Sequence, residues 1–174
     1  IYAGKKTEVL VLDKMDANTA QNNPREVLGR IPGANYSETE GGGFPSNGIA
    51  FRGLKPTQSQ EIQTRQNGYN IAADLYGYPE TYYAPPLEIV ERVEVIRGAS
   101  SLQFGPQFGG VINFVIKEAP KDKPLEVTTQ QTLGSYGFTN SLISIGGTYK
   151  KLNYYSFVQM KSYKGWRANS KYDQ

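Results

Sequence analysis

The segment Glu91–Lys117, ERVEVIRGASSLQFGPQFGGVINFVIK, limits what this chain can fold into more than any other stretch. Two apolar-alternating runs, Arg92–Ile96 and Val111–Ile116, flank a centre of glycine and small residues. Their β-branched residues predict strands. Gly98, Gly105, Gly109 and Gly110 supply positive φ or close backbone approach. Ser100–Phe104 is long enough for one helical turn, which Gly105 stops and Pro106 cannot continue. The prediction is strand, tight turn, short helix, glycine turn, strand. Any small αβ domain with glycine turns satisfies that periodicity equally well.

Upstream, Asn23–Gly33 carries a helix start. Asn23 is a capping residue, Pro24 occupies the first helical position, and Glu26 stands three after the cap. Val27, Leu28 and Ile31 supply the apolar face, and Gly29 with Ile31-Pro32-Gly33 ends it. Glu8–Leu12 predicts a short strand. Tyr36–Asn47, with its GGGFPSNG run, predicts loop, and Gly48–Gly53 the next strand. Lys55–Gln60 predicts polar loop, and Glu61–Asn67 an extended run that Asn67-Gly68 turns into a hairpin. Tyr69–Pro86 has five tyrosines, three prolines and no clean period. Pro86–Val90 predicts a capped helical turn.

The composition changes after Lys117. Glu118–Pro124, EAPKDKP, predicts a charged, proline-bearing linker. Leu125–Leu133, Phe138–Thr148 and Leu152–Tyr163 are three candidate strands, near the ~10 residues of a tilted barrel strand. Leu125, Val127 and Leu133 alternate with Glu126, Thr128, Gln130 and Thr132. Ile143 and Ile145 oppose Asn140 and Ser144. Leu152–Tyr163 alternates poorly, because Tyr154-Tyr155 and Phe157-Val158 break the period, so a bulge or a displaced boundary is expected. A soluble sandwich gives a similar pattern. Three strands cannot close a barrel, since the last edge stays unpaired.

Composition excludes several function classes. The chain has no cysteine and no histidine, so these residues build no disulfide scaffold, no ordinary zinc site and no Cys- or His-based catalysis. Ser100-Ser101 therefore lack a histidine to activate them. Asp74, Glu80, Glu88, Glu91 and Glu94 form no acid/base pair readable from spacing, so an enzyme is not expected. A net charge of +3, with acids and bases interleaved, argues against nucleic acid as a partner. No stretch reaches the ~18 apolar residues of a spanning helix. Ile1 opens directly onto polar sequence, as a mature or truncated chain does. Tyr, at 13 residues, far outnumbers Trp, at 1. Tyrosine with Gly, Thr, Ser and Gln suits strands wetted on one face.

RVEVIRGASSLQFG followed by GGVINFVIK resembles the end of the plug domain of TonB-dependent outer-membrane receptors. PREVLGRIPGANY resembles their first plug helix and its PG turn, and GIAFRG their first RG motif. The match is long and ordered over Ile1–Lys117, and only a matter of pattern beyond. It resembles the ferric-citrate-type receptors most, although Asn67-Gly68 stands where those carry a DG turn, so a carboxylate is lost. The resemblance implies an α+β plug (residues 1–117, a small mixed sheet with short helices), a linker (118–124), and the first strands of a large transmembrane antiparallel β-barrel (125–174). Such receptors have a barrel of about twenty-two strands, so the chain reads as the front of a longer protein.

By the same resemblance, the function is energy-coupled import across the outer membrane of a Gram-negative bacterium. The implied partners are TonB with its inner-membrane motor, a small-molecule ligand, outer-membrane lipid and other surface proteins. No cofactor is implied; iron would arrive only inside a transported chelate, such as ferric citrate or another siderophore. Arg52 and Arg97 each precede a glycine after a strand. In the resembling receptors such arginines pair with acids on the inner barrel wall and latch the plug; surface arginines flanking turns are the alternative. Gln63, Arg65, Tyr76, Tyr78 and Tyr82 are the candidate ligand contacts, since Arg forks onto anions and Tyr gives rigid contact area. The same Tyr and Pro crowding suits a buttressed loop. Thr7, Glu8, Val9 and Leu10 read either as the energy-coupling segment or as a first plug strand. Two further classes stay open: a non-transporting component of a surface complex with this fold, and a secreted β-rich adhesin or glycan-binding domain.

Overall fold

A computed structural model describes residues 7–15, 23–37, 48–59, 61–75, 78–105 and 108–173. The chain divides into two units, residues 1–116 and 117–174. In chain order the first contains β1 (Thr7–Val11), α1 (Pro24–Leu28), β2 (Ala34–Ser37) and β3 (Gly48–Phe51). It continues with β4 (Gln63–Gln66), β5 (Tyr69–Asn70), β6 (Ala73–Leu75), β7 (Tyr78–Glu80), β8 (Val90–Ile96) and β9 (Val111–Ile116). The second holds β10 (Glu126–Leu133), β11 (Thr139–Tyr149), β12 (Leu152–Tyr163) and β13 (Tyr172–Asp173).

A mixed sheet in the order β1-β8-β9-β4-β5 organises the first unit. β8 and β9 pair antiparallel, and β9 pairs parallel with β4. In VERVEVI the apolar residues are spaced by three and then by two. A register shift between Val90 and Arg92 takes up the extra residue, so Val90, Val93 and Val95 are all fully buried. Ile112 and Phe114 complete that buried face. Glu94, Arg92 and Asn113 occupy the half-buried opposite face.

The glycine pair at the start of β9 is dictated by packing. A Cβ on Gly109 would lie 2.5 Å from the Glu61 carbonyl oxygen, and one on Gly110 2.5 Å from that of Ile96. The backbone fills this space with hydrogen bonds, Gly109 N–H to Glu61 O at 2.8 Å and Gln63 N–H to Gly110 O at 2.9 Å. The predicted helical turn before it is a 3-10 helix over Gly98–Phe104, longer than expected, and it stops at Gly105 as predicted.

α1 forms as its cap predicts. The Asn23 side chain accepts from Arg25 N–H at 3.0 Å, and Val27, Leu28 and Ile31 enter the core. Asn67 and Gly68, with φ of 48° and 84°, turn β4 into β5. One expectation needs correction here. Tyr36 and Ser37 are not loop: they close β2, which pairs antiparallel with β3. The GGGFPSN run lies outside the described residues. Tyr69–Pro86, which has no clean period, contains β5 and the β6–β7 pair. These strands, of two or three residues each, are too short to show a period.

The second unit is an antiparallel sheet, β10-β11-β12-β13. One face carries the exposed apolar residues Val127, Leu133, Ile143, Ile145, Val158 and Met160. The other carries Thr128, Gln130, Asn140, Ser144, Gln159 and Lys161. β12 pairs with β11 without a bulge or register shift, contrary to expectation. The alternation looked poor because Tyr155, Phe157 and Tyr163 lie on the otherwise polar face. Phe138 and Tyr163 meet edge-on at 6.4 Å, and the Lys161 ammonium lies 5.8 Å from the Phe138 ring centre. Aromatic residues therefore stand on both sides of the strand.

Candidate functional site

Arg97 follows β8 directly, in extended backbone. Its Nη2 donates to the Glu8 carboxylate, and its Nη1 donates to the Pro32 carbonyl at 3.0 Å. The guanidinium carbon lies 5.5 Å from the Phe51 ring centre. Glu8 faces Val95 across the β1–β8 ladder, so Arg97 is its diagonal neighbour. One side chain thus joins β1, the turn after α1, β3 and the end of β8. Only 13% of it is exposed.

Arg52 follows the same two-letter word, yet differs. Its φ is +60° and that of Gly53 is +78°. Its N–H donates to Gly33 O at 3.1 Å, while the side chain is exposed and makes no ion pair among the described residues. The two arginines of the RG repeat are therefore not equivalent.

Arg65 and Gln63 are brought together on β4. Arg65 Nε donates to Gln63 Oε1 at 2.8 Å, Nη1 to the Gly68 carbonyl and Nη2 to the Phe104 carbonyl at 3.1 Å. The guanidinium also lies 4.8 Å from the Phe104 ring centre. Desolvation by burial lowers its pKa without endangering its charge. This geometry clamps the Asn67-Gly68 hairpin to the end of the 3-10 helix. Tyr82 is 41% exposed. Tyr78 belongs to β7, and Tyr76 lies outside the described residues. Thr7, Glu8, Val9 and Leu10 are built into β1, opposite Ile96, Val95, Glu94 and Val93.

Sequence reading missed a polar chain across the half-buried face. Arg92 Nε donates to Glu94 Oε1 at 3.1 Å, and Asn113 Nδ2 donates to Glu94 Oε2 at 2.9 Å. Gly68 N–H donates to Asn113 Oδ1 at 2.8 Å, which leads to Arg65 through the Gly68 carbonyl. Asn113 was the available signal: it interrupts an otherwise apolar VINFVI and aligns with Glu94. Glu94 is only 18% exposed.

The arrangement braces the sheet and its turns. Ser101 Oγ donates to Gly98 O at 2.7 Å, a local turn bond. Among the described residues no three His, Cys, Asp or Glu gather as a metal site. A cavity of about 30 Å³ lies among Leu28, Ile49, Thr64, Thr81, Ile112 and Phe114. That is room for about one or two waters, too little for a chelate-sized ligand.

Comparison with known proteins gives a consistent answer. The TonB-dependent Receptor Plug Domain family matches residues 4–111. The Vitamin B12 transporter BtuB of Photobacterium profundum is 31% identical over 140 residues, covering 80% of this chain and 22% of that protein. The Ferrienterobactin receptor of Escherichia coli is 26% identical over 121 residues, covering 63% of this chain and 16% of that one. Among solved structures, the ferric citrate transporter FecA in its unliganded form superposes with a TM-score of 0.73 at 27% identity, covering 99% of this chain and 27% of that chain. The chain thus spans about a sixth to a quarter of the length of such relatives. The match over residues 4–111, with the 31% identical relative over 80% of this chain, establishes that the chain belongs to the TonB-dependent receptor plug family, whose members are Gram-negative outer-membrane receptors and not enzymes.

Proposed function

We propose that this chain is the plug and first wall strands of a receptor that binds a scarce ligand outside the cell and imports it with energy delivered by TonB. The observation that carries the reading is one of sequence order. A plug-family segment ending at residue 111 is followed, within one strand and a linker, by long antiparallel strands with one apolar exposed face. Apolar-out, polar-in alternation is the pattern of a lipid-embedded barrel wall.

The ligand class is a ferric chelate, ferric citrate or another siderophore. Likeness to the ferric citrate transporter supports it, and so does the Arg65 guanidinium beside Gln63 and the Phe104 ring. Arg65 keeps N–H groups beyond the three already engaged, since a guanidinium has five. Iron comes as cargo within the chelate. Arg52 and Arg97 latch the plug to acids of the wall. Arg97 is already engaged by Glu8, so the wall contact falls first to Arg52. The pull of TonB reaches the sheet through β1. Isotope uptake and equilibrium binding of ferric citrate by the complete receptor test this reading: Arg65→Ala weakens binding, and unaltered affinity removes Arg65 from the ligand site.

A further inference from the structure

The two-residue turn between β11 and β12 joins three features that barrel closure does not require. First, Lys150 has a φ of +57°. Asn or Gly occupies that region with less strain than a long side chain, so a lysine there calls for a reason outside the backbone. Second, its ammonium lies 5.3 Å from the centre of the Tyr149 ring. Tyr149 and its partner Leu152 are 60% and 64% exposed, on the same face as Val127, Ile143, Ile145 and Val158. The cation is therefore drawn toward the apolar face. Third, the neighbouring charges do not cancel it. Lys121 pairs with Glu118 at 3.3 Å and Lys123 with Glu126 at 2.5 Å, whereas Lys150 and Lys151 are exposed and make no ion pair among the described residues.

The linker runs beside this turn. Thr148 N–H donates to Lys123 O at 2.8 Å, and Tyr154 Oη donates to Pro124 O at 2.7 Å. The same end of the sheet thus holds the entry from the plug and the shortest turn. The opposite end carries the longer connections 134–138 and 164–171, with exposed Tyr136 and Trp166. Short turns mark the periplasmic rim of a barrel and aromatic residues mark both interfaces. Tyr149 then lies at the periplasmic interface, with two uncompensated ammonium groups beside it.

We propose that Tyr149–Leu152 is a headgroup site for anionic phospholipid of the periplasmic leaflet. Lys150 and Lys151 hold the phosphate, Tyr149 spans the glycerol boundary, and Leu152 meets the acyl chains. This rests on reading residues 125–173 as barrel wall. Each lysine near an anionic surface favours binding by about five-fold.

The test uses the complete receptor in nanodiscs of mixed phosphatidylglycerol and phosphatidylcholine, with retained lipid counted by native mass spectrometry. The wild type retains phosphatidylglycerol at least about five-fold above its bulk share. Lys150→Asn with Lys151→Gln, which keeps a residue tolerant of positive φ in the turn, returns the ratio to bulk. Lys121→Gln with Lys123→Gln, at lysines already neutralised, changes it less than about two-fold. A bulk ratio in the wild type, or equal enrichment in the Lys150/Lys151 variant, overturns the headgroup site. Heat-modifiable gel migration is read in parallel. Its absence from the wild type refutes the barrel reading, whereas a shifted band without lipid enrichment refutes this proposal alone.

Discussion

Arg97 and Glu8 are 89 positions apart, yet the guanidinium donates to the carboxylate and so fastens β1 to the end of β8. The same guanidinium donates to Pro32 O and lies over Phe51. Removing it deletes more than removing the carboxylate. Arg97→Ala is expected to destabilise the first unit by about 2–3 kcal/mol, since a charged hydrogen bond to a part-buried partner is lost along with a cation–π contact. Glu8→Gln is expected to lose about 0.5–1 kcal/mol, because Glu8 is 40% exposed and water screens the pair. Hydrogen exchange of β1 amides in the complete receptor measures both. Equal effects would show that Pro32 and Phe51 contribute nothing.

The clamp at Arg65 predicts that lysine does not replace it. Three N–H groups of one planar fork reach Gln63, Gly68 and Phe104, and an ammonium on a flexible stem cannot reproduce that geometry. Arg65→Lys and Arg65→Ala should both speed exchange of the hairpin amides around Gly68, by about ten-fold or more for a loss of roughly 1.5–3 kcal/mol. Full protection in Arg65→Lys would mean that charge alone suffices.

Gly109 and Gly33 should respond differently to alanine. At Gly109 a Cβ strikes the Glu61 carbonyl, held by a backbone hydrogen bond, so β4 and β9 must separate. At Gly33, φ is +76° but no atom lies within 4 Å of the added carbon, so only the backbone penalty of about 1 kcal/mol applies. Folding yield in the outer membrane should fall steeply for Gly109→Ala and little for Gly33→Ala.

Ile112 is 1% exposed at the centre of the sheet. Ile112→Ala removes three buried carbons beside an existing cavity, and is expected to cost about 2–5 kcal/mol. Greater protease sensitivity of the plug, with the barrel still heat-modifiable, would localise that loss.

The parts legible in the sequence were those written locally. Asn23-Pro24 set the helix start, Asn67-Gly68 the hairpin, and Gly109-Gly110 the close approach, because each needs only near neighbours. β2, β6 and β7 were not legible, as runs of three or four residues become strands only when a partner supplies the hydrogen bonds. The RG words were read as a pair, but only the glycines are alike. Arg52 takes φ +60° and faces solvent, whereas Arg97 is extended and finds Glu8, a difference set by chain-distant contacts. The Arg92–Glu94–Asn113 chain was hidden for the same reason: Asn113 on β9 meets Glu94 of β8 only once the strands pair.

The central claim is import powered by TonB. Cells lacking their own receptors, expressing the complete protein, can be supplied with isotope-labelled ferric citrate, ferric catecholate siderophore and cobalamin, with and without functional TonB. The account predicts that a ferric chelate accumulates in the periplasm only when TonB is present. Accumulation of none of the three, or uptake that is the same without TonB, would contradict it.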